Sequence, residues 1–327
     1  MAFDIKPMLA TLASSLPARD ADYGYEMKWD GIRAIVYVGR GRVTVISRGL
    51  KDYTRRFPEL HGLAEAAGRP VVLDGEIIAL GDSELSTFQR LQQRSASGSD
   101  DEILRRAQLV PIGYMIFDLL RLDGRSTMSR TYVERRARLE ALHLEAKSWS
   151  TPPYQVGGGP ALLAKSRQLR MEGIVAKRLT SIYVPGKRTG DWLKIKNHAR
   201  QEFVIVGYTP GSGARSGQIG ALLVAYYDRP GPRGKLVYAG KVGTGFNSEP
   251  LRLLAEKLAP LRRDTSPLDI GKPPKNAFFV APELVGEVEF TEWTQNGELR
   301  HPSFKGLRDD KNPREVIREV AVKPPDG

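Results

Sequence analysis

Residues 25–38 of the 327-residue chain read Tyr-Glu-Met-Lys-Trp-Asp-Gly-Ile-Arg-Ala-Ile-Val-Tyr-Val. Strongly β-favouring side chains surround the central KWDGIR: Tyr25, Trp29 and the run from Ile32 to Val38. Asp30-Gly31 interrupts them and predicts a tight turn between two strands. Lys28, at the head of that turn between a tryptophan and apolar strands, is placed to be partly desolvated. Burial disfavours the ammonium and lowers its pKa, which an amine nucleophile requires near neutral pH. A lysine at a strand end is by default a surface residue, so the reading depends on the segments that follow.

Several of them are strands that carry charge. Val43–Ile46 predicts a third strand ending at Ser47-Arg48-Gly49, where the rigid fork of Arg48 suits an anion. Val71–Ile78 predicts a buried strand holding Asp74 and Glu76. Carboxylates among β-branched residues are costly unless paired or bound to a cation or hydroxyl. Of the two, Asp74 reads as a stabiliser of the turn before Gly75 and Glu76 as the candidate for chemistry. Tyr114–Leu120 is another buried strand, in which an aromatic such as Phe117 reads as core. Glu172-Gly-Ile-Val-Ala-Lys177 is a strand with charges at both ends. In Trp192-Leu-Lys-Ile-Lys196 the two lysines alternate with apolar residues and share one face. Two cations on one face repel unless an anion sits between them.

Lys28-Trp29-Asp30-Gly31-Ile32-Arg33 resembles the nucleotidyl-attachment motif of the covalent nucleotidyltransferases: ATP-dependent DNA ligases, RNA ligases and mRNA capping enzymes. The segments above occur in that family's order, so the resemblance covers nearly the whole chain. It is strongest to the ligase module of bacterial end-joining DNA ligases. The resemblance implies Lys28 as the catalytic nucleophile and Glu26, Arg33, Arg48, Glu76, Phe117, Lys177, Lys194 and Lys196 as nucleotide-binding residues. Within that set it implies Phe117 stacked on the purine, Arg48 on nucleotide or DNA phosphate, Lys177 facing phosphate, and Lys194 with Lys196 around the α-phosphate. It implies Glu172 as ligand to the divalent metal, Mg2+ or Mn2+, with Glu76 near the ribose and the same metal. Residues 299–311 look like the family's C-terminal motif, in which Arg308 and Lys311 orient the triphosphate so that pyrophosphate leaves opposite Lys28. Lys6-Pro-Met-Leu-Ala10 resembles the segment that opens the family's catalytic module.

Other segments read as scaffold. Residues 1–20 predict an irregular lead-in, Phe57–Ala67 a short helix, Phe88–Arg94 a helix and Ser95–Asp101 a flexible loop. Residues 131–147 predict an amphipathic, arginine-rich helix whose charges form a solvated face. Gly159–Ser166 nearly spells a phosphate-binding P-loop, but Ala164 replaces its second glycine and Pro160 removes a backbone donor. It reads instead as a helix start with proline in the first turn.

A domain boundary is expected near 197–202. Beyond it come short β segments at 203–208, 219–227, 236–242 and 286–293, with glycine-rich turns at 210–217 and 229–234 and a helix at 250–261. About five strands and one helix fit a Greek-key barrel of the OB type, here followed by a charged loop and a final helix. The expected architecture is α+β with two domains: a mixed α/β nucleotidyltransferase (adenylation) domain over 1–198 and an OB-fold β-barrel over 199–327.

The formal net charge is +12, divided as +9 over 1–198 and +3 over 199–327, which suits a polyanionic partner. The absence of cysteine excludes disulfides and cysteine zinc sites, and only four histidines are present. There is no signal peptide pattern and no stretch of roughly 18–20 apolar residues, so a cytoplasmic protein is expected, acting as a monomer with no membrane partner; the resemblance implies a bacterial one. The resemblance implies ATP as cofactor, nicked double-stranded DNA as substrate, and a barrel that reorients between steps. No separate DNA-binding domain is expected ahead of residue 20. A Ku-type end-binding protein or separate polymerase and nuclease modules are the expected partners. Two rival readings are an RNA ligase or capping-type enzyme, and a catalytically silent nucleic-acid-binding protein. The joint presence of Lys28, Glu76, Glu172, Lys194 and Lys196 argues against the latter.

Overall fold

The computed structural model describes every residue except 1–2, 82–86, 96–97, 212–217, 247 and 325–327. Parts of two expected loops, at 95–101 and 210–217, therefore lie outside the described residues. The chain divides into two compact units, His198–Glu319 and a first unit made of Met1–Asn197 with the stretch that begins at Val320. This corrects the expectation that everything after residue 198 belongs to the second domain. Val322 donates to Leu12 O and accepts from Ser14 N, each at 3.0 Å. It thereby covers the edge of a first-unit sheet, where unpaired backbone groups would otherwise be left open.

In the first unit, β1 (Tyr23–Met27) leads through Lys28–Gly31 into β2 (Ile32–Gly39), which turns back as β3 (Arg42–Ser47). There follow β4 (Val71–Ala79) and β5 (Ile112–Leu122), and after two helices β6 (Gly173–Arg178) and β7 (Trp192–Lys196). These strands form two antiparallel sheets. One runs β7–β6–β1, extended by Thr11–Leu12 beside β7; the other runs β3–β2–β4–β5. The expected hairpin at Lys28 is therefore corrected: β1 and β2 lie in different sheets, and Lys28–Gly31 is the crossover between them. Gly31 makes this passage feasible, because a Cβ there would collide with the carbonyl of Ile77 on β4.

Strand alternation decides what each sheet face does. On β1, β6 and β7, the residues Tyr23, Tyr25, Ile174, Ala176, Leu193 and Ile195 pack into an apolar cluster with Ala13 and Leu163. By register, Glu26 lies opposite Val175, Val175 opposite Lys194, and Lys177 opposite Trp192, so the charged residues share the other face. In the second sheet, Ile32, Ala34, Val36, Leu73, Ile77 and Ile116 belong to the main core. Ile35, Tyr37 and Val72 pack on the opposite side, against Tyr183 and Trp192 from the first sheet's end of the unit. The charged faces of the two sheets thus meet around one cleft.

The short helix expected at 57–67 is a 3-10 turn, Pro58–Gly62, running into the helical turn Leu63–Ala67. The longer helices are α1 (Thr87–Ser95), α2 (Asp100–Leu109), α3 (Tyr132–Glu140) and α4 (Gly159–Gln168). α2 was not expected from the sequence, although its signature is present: Ser99 and Glu102 form a reciprocal capping box. α3 is shorter than the expected 131–147 and ends before His143, which has φ 50°. Its charges also do not form a solvated face, since Arg135 and Arg136 are fully buried. α4 begins as expected, with proline in its first turn, and Asp20 accepts hydrogen bonds from Gly158 N (2.5 Å) and Gly159 N (3.1 Å). That carboxylate fills the place a phosphate would take, so no P-loop forms.

The second unit runs β8 (Ala199–Pro210), β9 (Ile219–Tyr227), β10 (Leu236–Val242), α5 (Ser248–Leu258), β11 (Val285–Phe290) and β12 (Ser303–Leu307). β8, β9 and β10 form a meander, β11 returns to β8, and β12 pairs with β11. A parallel bridge between Thr244 and Ser303 closes the ring beyond the end of β10. This order, with the helix between the third and fourth strands, is the OB barrel. Phe203, Leu222, Val224, Val288 and Phe304 fill it, and Leu254 and Leu258 of α5 cap it. Instead of a final helix, the described chain has only the short 3-10 turn Pro313–Glu315. No described helix is long and apolar enough to cross a membrane.

Candidate active site

Lys28 is held by its backbone, whose N–H donates to Gly173 O at 2.9 Å. Its ammonium contacts Glu172 Oε2, and the other oxygen of Glu172 lies 3.5 Å from Lys196 Nζ. The side chains of Lys28 and Glu172 are 20% and 8% exposed, so the nucleophile candidate is largely buried but still reached by solvent. Gly173 is what allows this closeness. It has φ 148°, and a Cβ there would collide with the carbonyl of Ile195 on β7. Lys194 lies one register step along the same face, opposite Val175.

Deeper along β6 the chemistry becomes aromatic. Lys177 is buried, with Nζ 2.7 Å from Glu26 Oε2. Its ammonium lies 4.4 Å from the Phe117 ring centroid and 4.3 Å from that of Trp192. Burial pushes Lys177 below the usual lysine range, and Glu26 offsets only part of that cost. Tyr132 from α3 donates to Glu26 Oε1 at 2.5 Å, and burial, followed by the charge of Glu26, raises its phenol well above the ordinary value. Phe117 owes its position to a β-bulge, because the register between β4 and β5 shifts between Asp74 and Gly75, opposite Asp118 and Ile116. The extra residue in such a bulge is re-aimed out of the regular pleat. Asp118, next to it, forms a fully buried ion pair with Arg135 at 2.7 and 2.9 Å.

From the second sheet, the Arg33 guanidinium lies 4.5 Å from the Phe117 centroid. Its Nε and Nη2 donate to the two oxygens of Asp74 at 2.6 and 2.7 Å. Burial opposes the charge on Arg33, but the Asp74 carboxylate wins and holds its pKa above the usual range. Glu76 lies opposite Arg33 in register. Arg48 is half-buried, with its backbone N–H on Arg33 O at 3.1 Å.

The structure therefore gathers the residues into two sets along β6, Lys28, Glu172 and Lys196 at its start and Glu26, Lys177, Phe117 and Arg33 toward its end. Lys194 and Glu76 lie on adjoining strands and Arg48 in the turn after β3. Arg308 and Lys311 belong to the second unit. There Arg308 is forked onto Asp310 (2.9 Å twice) and reaches Glu287 at 3.1 Å. Lys311 lies 2.6 Å from Glu202. Burial opposes the charge on Asp310, but the Arg308 guanidinium holds its carboxyl below the usual range. Sequence reasoning underrated Asp74 and missed Tyr132, Asp118 and Tyr183. The acids stood out as charges within apolar runs, but nothing local marked the two tyrosines, whose partners lie 106 and 109 residues away.

Residues 7–196 match the family model described as "ATP dependent DNA ligase domain", and residues 215–311 match "ATP dependent DNA ligase C terminal region". Over 320 residues the chain is 41% identical to the multifunctional non-homologous end joining protein LigD of Mycobacterium bovis, covering 97% of this chain and 40% of that protein. It is 38% identical to LigD of Pseudomonas aeruginosa, covering 98% and 37%, and 32% identical to a DNA ligase of Thermococcus fumicolans, covering 95% and 57%. The chain thus spans well under two thirds of the length of these curated relatives. Among solved structures, a mycobacterial DNA ligase D complexed with ATP and MES is 40% identical with a TM-score of 0.68, covering 98% of this chain and all of that one. By motif order, by the two-unit fold with its OB barrel and by these matches, the chain belongs to the ATP-dependent DNA ligase family.

Proposed function

We propose that this chain seals nicks between a 5′-phosphate and a 3′-hydroxyl in duplex DNA through a lysyl-AMP intermediate. The observation that carries this is the layout of β6. Lys28, Glu172 and Lys196 cluster at its start, and four residues on, about 13 Å along a strand, lies the buried group Glu26, Lys177 and Phe117. A nucleotide laid along that face has its base among the aromatics, beside Lys177, and its phosphates among Lys28, Lys194 and Lys196. Lys177 then serves the base end instead of facing phosphate as the resemblance implied. In the first step Lys28 Nζ attacks the α-phosphorus of ATP; the N–P bond forms, the bond to pyrophosphate breaks, and the amine loses its proton. The Glu172 carboxylate, in contact with Nζ, is placed to receive that proton. Lys194 and Lys196 stabilise charge on the α-phosphate oxygens. The DNA 5′-phosphate then takes AMP from Lys28, and the 3′-hydroxyl displaces AMP to close the strand.

Arg33 and Arg48 are assigned to nucleotide or 5′-phosphate, and Arg308 and Lys311 to orienting the triphosphate, for which they exchange carboxylate partners for phosphate oxygens. Among the described residues no three acidic or histidine side chains gather to hold a metal alone. Glu172, with Glu76 nearby, would hold Mg2+ or Mn2+ when the nucleotide is bound, carboxylates being suited to either ion. The ion would supply Lewis-acid charge at the phosphates.

On the barrel, Lys241, Thr244 and His301 line a glycine-rich groove with Thr209 and Pro210, a surface suited to a DNA backbone. We assign the protein to bacterial end-joining repair in the cytoplasm, as a monomer. A Ku-type end-binding protein or separate polymerase and nuclease modules deliver its nicks. The end-joining names of the relatives support that setting.

The test is incubation with α-phosphate-labelled ATP and magnesium or manganese, followed by denaturation. Covalent label that Lys28→Ala abolishes, and that nicked DNA discharges into a sealed strand, supports the proposal. Label from GTP favours capping chemistry, and sealing confined to nicked RNA favours an RNA ligase. Absence of label after pyrophosphate has stripped any bound AMP overturns it. Binding through phosphates also predicts steep weakening by salt.

A further inference from the structure

Tyr183 lies on the connection between β6 and β7 and is almost fully buried. Its backbone is tied down by a hydrogen bond from its N–H to Met128 O at 2.8 Å, and its ring meets Trp192 edge-on at 5.6 Å. Its hydroxyl donates to Asp74 Oδ2 at 2.6 Å and accepts from Met8 N at 2.9 Å. Asp74 Oδ2 also accepts from Arg33 Nη2, and that same nitrogen reaches Met8 O at 3.4 Å. The four groups close a ring: Met8 backbone, Tyr183 hydroxyl, Asp74 carboxylate and Arg33 guanidinium. It ties together the N-terminal segment, β2, β4 and the β6–β7 connection.

The ring leaves a defined remainder. Arg33 Nε and Nη2 are both taken by Asp74, and among the described residues Nη1 has no partner. Arg33 is still 19% exposed, with its plane against Phe117 at 4.5 Å. A guanidinium free to choose among carboxylates would present any edge. This one keeps a single N–H pair, that of Nη1, outside the ring.

We propose that Tyr183, acting with the Met8 backbone through Asp74, is a positioning residue that fixes Arg33 so that only Nη1 is offered to a phosphate of the nucleotide or the nicked strand. The inference rests on the ligase reading above. Burial, and then the charge of Asp74, keeps the Tyr183 phenol well above its usual range, so it stays a donor throughout the working pH. Without the hydroxyl, Asp74 Oδ2 gains rotational freedom and Arg33 samples orientations that waste the fork. Misplacement of a contact group by about 1 Å costs on the order of 100-fold in favourable cases, so a loss of one hydrogen bond at one remove is expected to cost about 10-fold.

The experiment is a double-mutant cycle on the full chain with Tyr183→Phe and Arg33→Lys. Lysyl-AMP formation and single-turnover sealing of a pre-adenylated nick are measured separately. The expected result is a loss of about 10-fold for Tyr183→Phe in at least one step, falling to less than about 2-fold when Arg33 is already lysine. Equal losses in both backgrounds, or no loss in either step, overturn the proposal. Should Tyr183→Phe fail to fold, Asp74→Asn enters the same cycle, and equal losses with and without Arg33→Lys again overturn it. Wild-type protein that takes no label at all defeats the ligase reading instead, a result distinct from every outcome of the cycle.

Discussion

Gly173→Ala tests whether the backbone approach between β6 and β7 sets the spacing of the lysines. The added methyl would lie 2.9 Å from Lys196 Cα and closer still to the Ile195 carbonyl, at a residue with φ 148°. Relief requires β7 to move away from β6 at the point where Gly173 is registered with Lys196. Backbone strain at such a φ contributes about 1–3 kcal/mol, and overpacking against fixed backbone about 1–3 kcal/mol more. The sum, about 2–6 kcal/mol, is a large part of the 5–15 kcal/mol typical of a whole domain. For a unit of about 200 residues it corresponds to a fall of about 4–24 °C in the thermal midpoint.

The same movement carries Lys196 away from Glu172, and Glu172 is the residue immediately before the substitution. Lysyl-AMP formation is therefore expected to fall more than stability alone explains. Calorimetry gives the midpoint, and labelling at a temperature where the variant is still folded gives the activity. A variant whose midpoint stays within about 2 °C of wild type and that labels at the wild-type rate refutes the reasoning. It would mean that the lysine spacing is set elsewhere.

Three further outcomes are expected. Asp118→Asn leaves Arg135 charged and fully buried, at a cost of about 3–5 kcal/mol, whereas Asp118→Leu with Arg135→Met recovers most of it; urea unfolding measures both. Lys177→Met destabilises by a similar amount by stranding Glu26, and adding Glu26→Gln restores the urea midpoint without restoring labelling by ATP. The third concerns Asp310, whose folded pKa lies below its unfolded value of 3.8. It contributes stability that is present above that value and is lost as the pH falls through the folded pKa. Unfolding free energy of wild type measured from pH 5 downward should therefore drop more steeply than that of Asp310→Asn, and identical slopes would remove the assignment.

Much of the site was legible because strand alternation is a local property. Lys194 and Lys196 were placed on one face by a period of two, and β6 and β7 bear that out. The charged ends of Glu172–Lys177 likewise marked a strand with work to do. Properties that depend on distant partners were not legible. Asp30-Gly31 reads as a hairpin turn because turn chemistry does not encode which sheet the next strand joins. Arg135 and Arg136 read as a solvated face because burial of an arginine is decided by an acid or carbonyl elsewhere: Asp118 for the first, and for the second the Pro152 carbonyl at 2.7 Å. Phe117 read as core on its own, and the bulge that re-aims it depends on the register with β4. Tyr183 was passed over because its hydroxyl has no local role at all.

The arrangement also explains why the cleft tolerates so much buried charge. On the first sheet's charged face Lys177 pairs with Glu26, and Lys28 and Lys196 both lie on the carboxylate of Glu172. The paired charges satisfy one another across strands, as buried ions must. Lys194 stands on the same face, opposite Val175, so the lysines gather toward the Lys28 end of β6. Like charges held close repel, and each of these lysines gains when an anion with several phosphate oxygens enters. The arrangement therefore favours binding a nucleotide in one orientation, phosphates toward Lys28 and base toward Phe117.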